Sequence, residues 1–132
     1  MTNKKLGNSF EQELCEKLAE YGFWTHNLAM NKAGQPADII AVRNKVAHLI
    51  DAKVVSSRGF ALSRVEENQD LAMDLWNSKG NGQGWFALKV KDEIYMIPHI
   101  CIKAFMATQS YLPIADICTL GKSLDKWVKK WK

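Results

Sequence analysis

Nowhere does the chain of 132 residues hold the run of roughly 18 apolar residues that a membrane-spanning helix needs. Its first ten residues, MTNKKLGNSF, lack the apolar core of a signal peptide. A cytoplasmic protein without membrane association is therefore expected. Cysteine is scarce: Cys15, Cys101 and Cys118 are odd in number and show no CxxC spacing, which argues against a disulfide framework or a zinc cluster. All three are expected to be reduced and buried. There is no internal repeat, no low-complexity tract and no Pro/Ser-rich linker, so the length suits one domain over residues 1–132. Gly80, Gly82 and Gly84 are not a phosphate loop, because no GK[ST] follows and the next element reads as a strand. His26, His48 and His99 lack ligand spacing and read as structural, and nothing calls for a small-molecule cofactor.

What is present is ordinary for a globular chain: 47% hydrophobic, 24% charged and 10% aromatic residues, enough apolar content to fold alone. The net charge of +4 is local. Residues 122–132 hold five lysines and one aspartate, and subtracting them from 18 basic and 14 acidic residues leaves 13 of each. Lys126, Lys129 and Lys130 therefore lie on a basic terminal segment, 121–132, that could meet a polyanion or simply be a solvated helix. Trp127 and Trp131, four apart within it, read as packing anchors.

Punctuation and periodicity predict a helix over about 9–21, capped by Asn8 or Ser9 and stopped by Gly22. Strands follow at Phe23–Ala29, Ala37–Val42 and Lys45–Val55, with a polar turn at Asn31–Pro36 and a tight one at Arg43-Asn44. After a loop at 56–61 comes a helix over Leu62–Ser78, then a hairpin of Trp85–Val90 and Glu93–Ile97 turning at Lys91-Asp92. Helical segments around 99–108 and 121–131 complete an α/β chain of order α-β-β-β-α-β-β-α.

Three polar placements break the pattern. On the first helix, Phe10, Leu14, Cys15, Leu18 and Tyr21 share a sector with Glu11 in its middle, while Glu13, Glu16 and Glu20 lie opposite. A buried carboxylate is costly unless partnered, so Glu11 either meets a structural partner or serves a site. On the second helix, Leu62, Val65, Ala72, Met73 and Trp76 define an apolar sector centred near Gln69. Leu71 and Leu75 project from its far side, which fits packing on the C-terminal segment or a dimer contact. In the run AHLIDAKVV, period two puts Asp51 and Lys53 on one face with Leu49. They form an edge ion pair or a catalytic pair, and Asp38, opening the preceding strand, could meet Asp51 across the strand pair. Converging carboxylates are hard oxygen ligands suited to Mg²⁺ or Mn²⁺, and a fixed ammonium beside them can orient water and offset charge on a phosphate.

These residues resemble the PD-(D/E)XK nuclease superfamily, with Pro36-Ala37-Asp38 for the PD element, one residue inserted, and Asp51-Ala52-Lys53 for (D/E)XK. Gly7-Asn8-Ser9-Phe10-Glu11 is similar to the start of archaeal Holliday junction resolvases, and Phe60-Ala61-Leu62 with Gln69 to a segment of RecU-type resolvases. The likeness covers about residues 7–97. It implies a restriction-endonuclease-like domain with a central mixed β-sheet flanked by helices. It implies Glu11, Asp38 and Asp51 around Mg²⁺ (Mn²⁺ as substitute), Lys53 serving the water and Gln69 supporting the site. It further implies a homodimer that cuts four-way DNA junctions. The loop from Asn31 to Gln35 is too short for the RecU stalk. Lys4, Lys5, Ser9, Lys32, Arg58 and Arg64 flank the site as DNA contacts, alongside the lysines of the tail. A nuclease with another DNA substrate, of repair or restriction type, and an inactive DNA-binding module are the alternatives; the intact set of five polar residues speaks against the second.

Overall fold

The computed structural model describes residues 3–28 and 37–131, with the side chains described from Ser9 onward. Helix α1 (Asn3–Glu20) is followed by β1 (Trp24–Asn27), β2 (Ile39–Arg43) and β3 (Val46–Val54). A two-residue strand β4 (Phe60–Ala61), a 3₁₀ turn at Leu62–Arg64, α2 (Glu67–Trp76) and a wide helical turn at Asn77–Asn81 come next. Then follow β5 (Trp85–Val90), β6 (Glu93–Pro98), α3 (His99–Met106), β7 (Tyr111–Leu112), α4 (Ile114–Leu120), β8 (Lys122–Ser123) and α5 (Leu124–Lys130).

One six-stranded sheet runs in the order β1-β2-β3-β5-β6-β8. Strand β3 is parallel to β5 and every other pairing is antiparallel, so the sheet is mixed. The β2–β3 hairpin turns at Asn44 and Lys45, both with positive φ, the geometry that matches the twist of paired strands. Because side chains alternate across the sheet, β3 and β5 each serve two cores. Ile50, Ala52, Trp85 and Ala87 pack with Phe10, Leu14 and Leu18 of α1 and Trp127 of α5. Leu49, Phe86 and Leu88 pack with Met73 of α2, Ile102 of α3 and Ile117 of α4. Gly84 permits this: a Cβ there would lie 2.6 Å from the Met73 side chain.

The mixed helix-flanked sheet and the β5–β6 hairpin agree with expectation, and several boundaries do not. Helix α1 begins at Asn3, not near residue 9. Lys4, Lys5 and Leu6 are good helix formers, and a cap preference worth about 1 kcal/mol does not stop a helix that can continue. Gly22, at φ +96°, ends it as expected, but Tyr21 lies past the last turn and is exposed. Strand β1 is shorter than predicted, and the turn expected at Asn31–Pro36 lies outside the described residues. The single helix expected over Leu62–Ser78 is broken at Val65-Glu66, where the 3₁₀ turn ends and α2 is capped anew. Part of the loop at 56–61 becomes β4, which pairs with β7. Helix α4 and strands β7 and β8 were not anticipated. Cys15 is buried, Cys101 half-buried and Cys118 exposed, against the expectation of three buried thiols. Leu71 and Leu75 remain 58% and 59% exposed, so they do not pack on the C-terminal segment. Trp127 is fully buried and Trp131 packs against the same core, as anchors should.

Candidate active site

Four elements, α1, β2, β3 and α2, bring the expected polar residues together beside β3. The N–H of Asp38 donates to the Ile50 carbonyl at 3.1 Å, which fixes the residue at the mouth of β2. Its Oδ2 then accepts the N–H of Ala52 at 2.8 Å. Asp38 thus extends the β2–β3 ladder with its side chain, which holds a carboxylate beside the Asp51-Ala52-Lys53 triplet.

Asp51 is wholly buried. Its Oδ1 accepts a hydrogen bond from Gln69 Nε2 at 3.1 Å. Gln69 Oε1 in turn accepts the Glu66 N–H at 3.3 Å, so capping the start of α2 fixes which end of the amide faces the carboxylate. Asp51 Oδ2 has no hydrogen-bond partner. Lys53 Nζ stands 3.4 Å from it as an ion pair and is itself largely shielded.

Glu11 occupies the centre of the buried stripe of α1, where helical spacing put it, and is 8% exposed. Burial pushes its carboxyl up to about 7, and Asp38, by its charge and by a hydrogen bond, adds to the rise; Lys53 opposes it more weakly. Asp51 is raised well above the usual carboxylate range, first by burial and then by the charge of Asp38, with Lys53 again opposing. Three carboxyl groups therefore stand close together with one ammonium, short of positive charge, and one buried oxygen lacks a donor. That donor set fits a hard divalent cation.

The remaining candidates are dispersed. Ser9, Arg58 and Arg64 are exposed. Lys4 and Lys5 lie in the first turns of α1, and Lys32 falls outside the described residues. Lys126, Lys129 and Lys130 are exposed on α5, where Lys129 pairs with Asp125 at 3.2 Å and Lys130 lies over the Trp131 ring. Helix α5 sits on the sheet face opposite Asp51, with Trp127 and Trp131 packed on His48, three residues back along β3. His48 is buried, without a partner for Nε2, and burial pulls its ring down to about 4.

Sequence reasoning missed one cluster. Asp70 and Asp74 of α2 face His99 at the start of α3, each with a ligand-type atom within 4.8 Å of the others. Among the described residues no other trio is that tight, so Glu11, Asp38 and Asp51 form a wider set. His99 Nε2 lies 2.6 Å from Asp70, and Lys103 pairs with both aspartates. This ties α2 to α3 and so steadies Gln69. The i, i+4 spacing of the aspartates was legible in the sequence, but His99 joins them only through the fold.

A mixed sheet with an aspartate at the mouth of one strand, a DAK triplet on the next, and glutamate and glutamine delivered by flanking helices is the core of a PD-(D/E)XK nuclease. The model of the archaeal Holliday junction resolvase (Hjc) family matches residues 2–114. The chain belongs to that family, and its members are nucleases that resolve four-way DNA junctions. Among solved structures, Hjc from Archaeoglobus fulgidus, a Holliday junction resolvase from an archaeal hyperthermophile, is similar at a TM-score of 0.70 and 16% identity, covering 92% of this chain and 99% of that one. No curated protein matches the chain. Among the described residues no helix is long and apolar enough to cross a membrane.

Proposed function

We propose that this nuclease depends on Mg²⁺, with Mn²⁺ as substitute, held by Asp38 and Asp51 with Glu11 beside them, and that it cuts junctions as a homodimer from one domain spanning residues 1–132 in the cytoplasm. The observation that carries the proposal is the unpartnered Oδ2 of fully buried Asp51, whose carboxyl, like that of Glu11, holds its proton more tightly than usual. When bound, the cation would offset charge developing on the phosphate. Lys53 holds its ammonium beside the same oxygen, where it can orient the attacking water and stabilise negative charge at phosphorus. Gln69 keeps Asp51 Oδ1 occupied, so that Oδ2 is the oxygen left for ligation. Asp38, bound to the Ala52 N–H, cannot swing away from the triplet.

Resolving a junction requires cutting two opposed strands, which a pair of sites related by a two-fold axis does in one complex. The exposed Leu71 and Leu75, one turn apart on the outer surface of α2, supply apolar area for such a contact. Ser9, Lys4, Lys5, Lys32, Arg58, Arg64 and the α5 lysines supply phosphate contacts. Because charge balances outside the tail, grip on ordinary duplex is weak and junction shape provides selectivity. Incubating end-labelled four-way and linear DNA with the protein, with and without Mg²⁺, tests this. Paired, nearly symmetric nicks confined to the junction are expected, and equal cutting of linear duplex at physiological salt would contradict it.

A further inference from the structure

Resting on the nuclease reading, we infer that Arg64 is a positioning residue that clamps the phosphate next to the scissile one, using the unpaired edge of β3 as its mount. In an extended strand the backbone groups of alternate residues point to the same side. On the β2 side of β3, the Ile50 carbonyl takes the Asp38 N–H and the Ala52 N–H gives to Asp38 Oδ2. Strand β2 has ended there, yet further along that edge the Val54 carbonyl is satisfied: Arg64 Nη1 donates to it at 2.7 Å. The guanidinium therefore sits two residues beyond the Ala52–Asp38 contact along the strand, on the same edge as Asp38 and one residue past Lys53.

It is also held from below. Arg64 Cζ lies 5.6 Å from the centroid of the Phe60 ring. That ring is fully buried and is fixed by the pairing of β4 with Leu112 of β7. An arginine has five N–H donors in a planar fork, and here one is used on Val54. No carboxylate pairs with Arg64 among the described residues, although acidic groups crowd the neighbouring site. An exposed cation with two anchors and most of its donors open is prepared for a bidentate anion, and in a nuclease that anion is a backbone phosphate. Displaced along β3 from Asp38, the guanidinium meets a flanking phosphate and not the one being cut. Arg64 thus sets which phosphodiester of the strand lies over Asp38 and Asp51.

Single-turnover cleavage of four-way junctions tests this, each junction carrying one neutral methylphosphonate at a different phosphate around the cut. For unmodified junction, Arg64→Ala is expected to raise the half-saturating concentration about 10-fold, with a smaller change in the rate at saturation. At one flanking position the methylphosphonate should cost wild type about as much and cost Arg64→Ala almost nothing further. Arg64→Lys keeps a charge that can reach Val54 but lacks the fork, and should show an intermediate loss at that same position. If both variants lose activity equally at every position, as a disturbed β3 edge would cause, the inference is overturned. Failure of wild type to cut the unmodified junction would instead overturn the resolvase reading on which it rests.

Discussion

Glu11→Gln should make the metal-free protein more stable while making it a poorer nuclease. The side chain lies 8% exposed on α1 against Asp38, and glutamine keeps its size and its hydrogen-bonding capacity. A carboxyl whose folded value rises from 4.5 to about 7 binds protons more tightly folded than unfolded, so folding loses free energy as pH climbs through that window. At about 1.36 kcal/mol per pH unit the full penalty is roughly 3 kcal/mol above pH 7 and close to zero below pH 4.5. Urea unfolding in EDTA at pH 8 and at pH 4.5, for wild type and Glu11→Gln, reads the difference directly. The variant should gain about 2–3 kcal/mol at pH 8 and little at pH 4.5, and saturating Mg²⁺ should narrow the gap by stabilising wild type more. No gain at pH 8 would mean that an ordinary structural partner compensates the buried carboxyl, and the argument that its placement serves catalysis would fail.

Other outcomes follow from the same geometry. His48, pulled from 6.5 to about 4 by burial, binds fewer protons folded than unfolded, so its contribution is whole above pH 6.5 and lost as pH falls toward 4. Relative to His48→Phe, wild type should lose roughly 2–3 kcal/mol across that window in urea titrations, and parallel pH curves would contradict the assignment. Leu71→Glu with Leu75→Glu should give a monomer by sedimentation at micromolar concentration; a persistent dimer places the interface elsewhere. Replacing Lys126, Lys129 and Lys130 with glutamine should reduce the slope of log affinity against log salt by about 0.9 for each phosphate that these lysines neutralise. An unchanged slope removes α5 from the DNA surface.

The candidate site was legible because its polar residues break the apolar pattern. Glu11 in an apolar stripe, Gln69 in another and Asp51 in a core strand are each improbable alone, and helical or strand period located all three before any fold was known. What periodicity could not supply was context. Whether Gln69 belonged to a continuous helix or to a freshly capped one depended on its own amide bonding the Glu66 N–H. That Asp38 would join the ladder through its side chain was not written in the Pro36-Ala37-Asp38 spacing. Strands β4 and β7 pair Phe60 with Leu112 across more than forty intervening residues, and such short partners carry no local signal. The Arg64 mount has the same origin: its partner, the Val54 carbonyl, is a backbone group, invisible in side-chain pattern.

Asp51→Asn puts the central claim to its most direct test. The substitution removes the charge next to the unpartnered oxygen while leaving an oxygen for Gln69 to meet. With Mg²⁺ present, wild type should nick a labelled four-way junction in pairs. The variant should bind the same junction within a few fold and cut it at least about 100-fold more slowly. Cleavage by Asp51→Asn at the wild-type rate, or cleavage by wild type undiminished in EDTA, would show that this carboxylate cluster is not the metal-dependent centre.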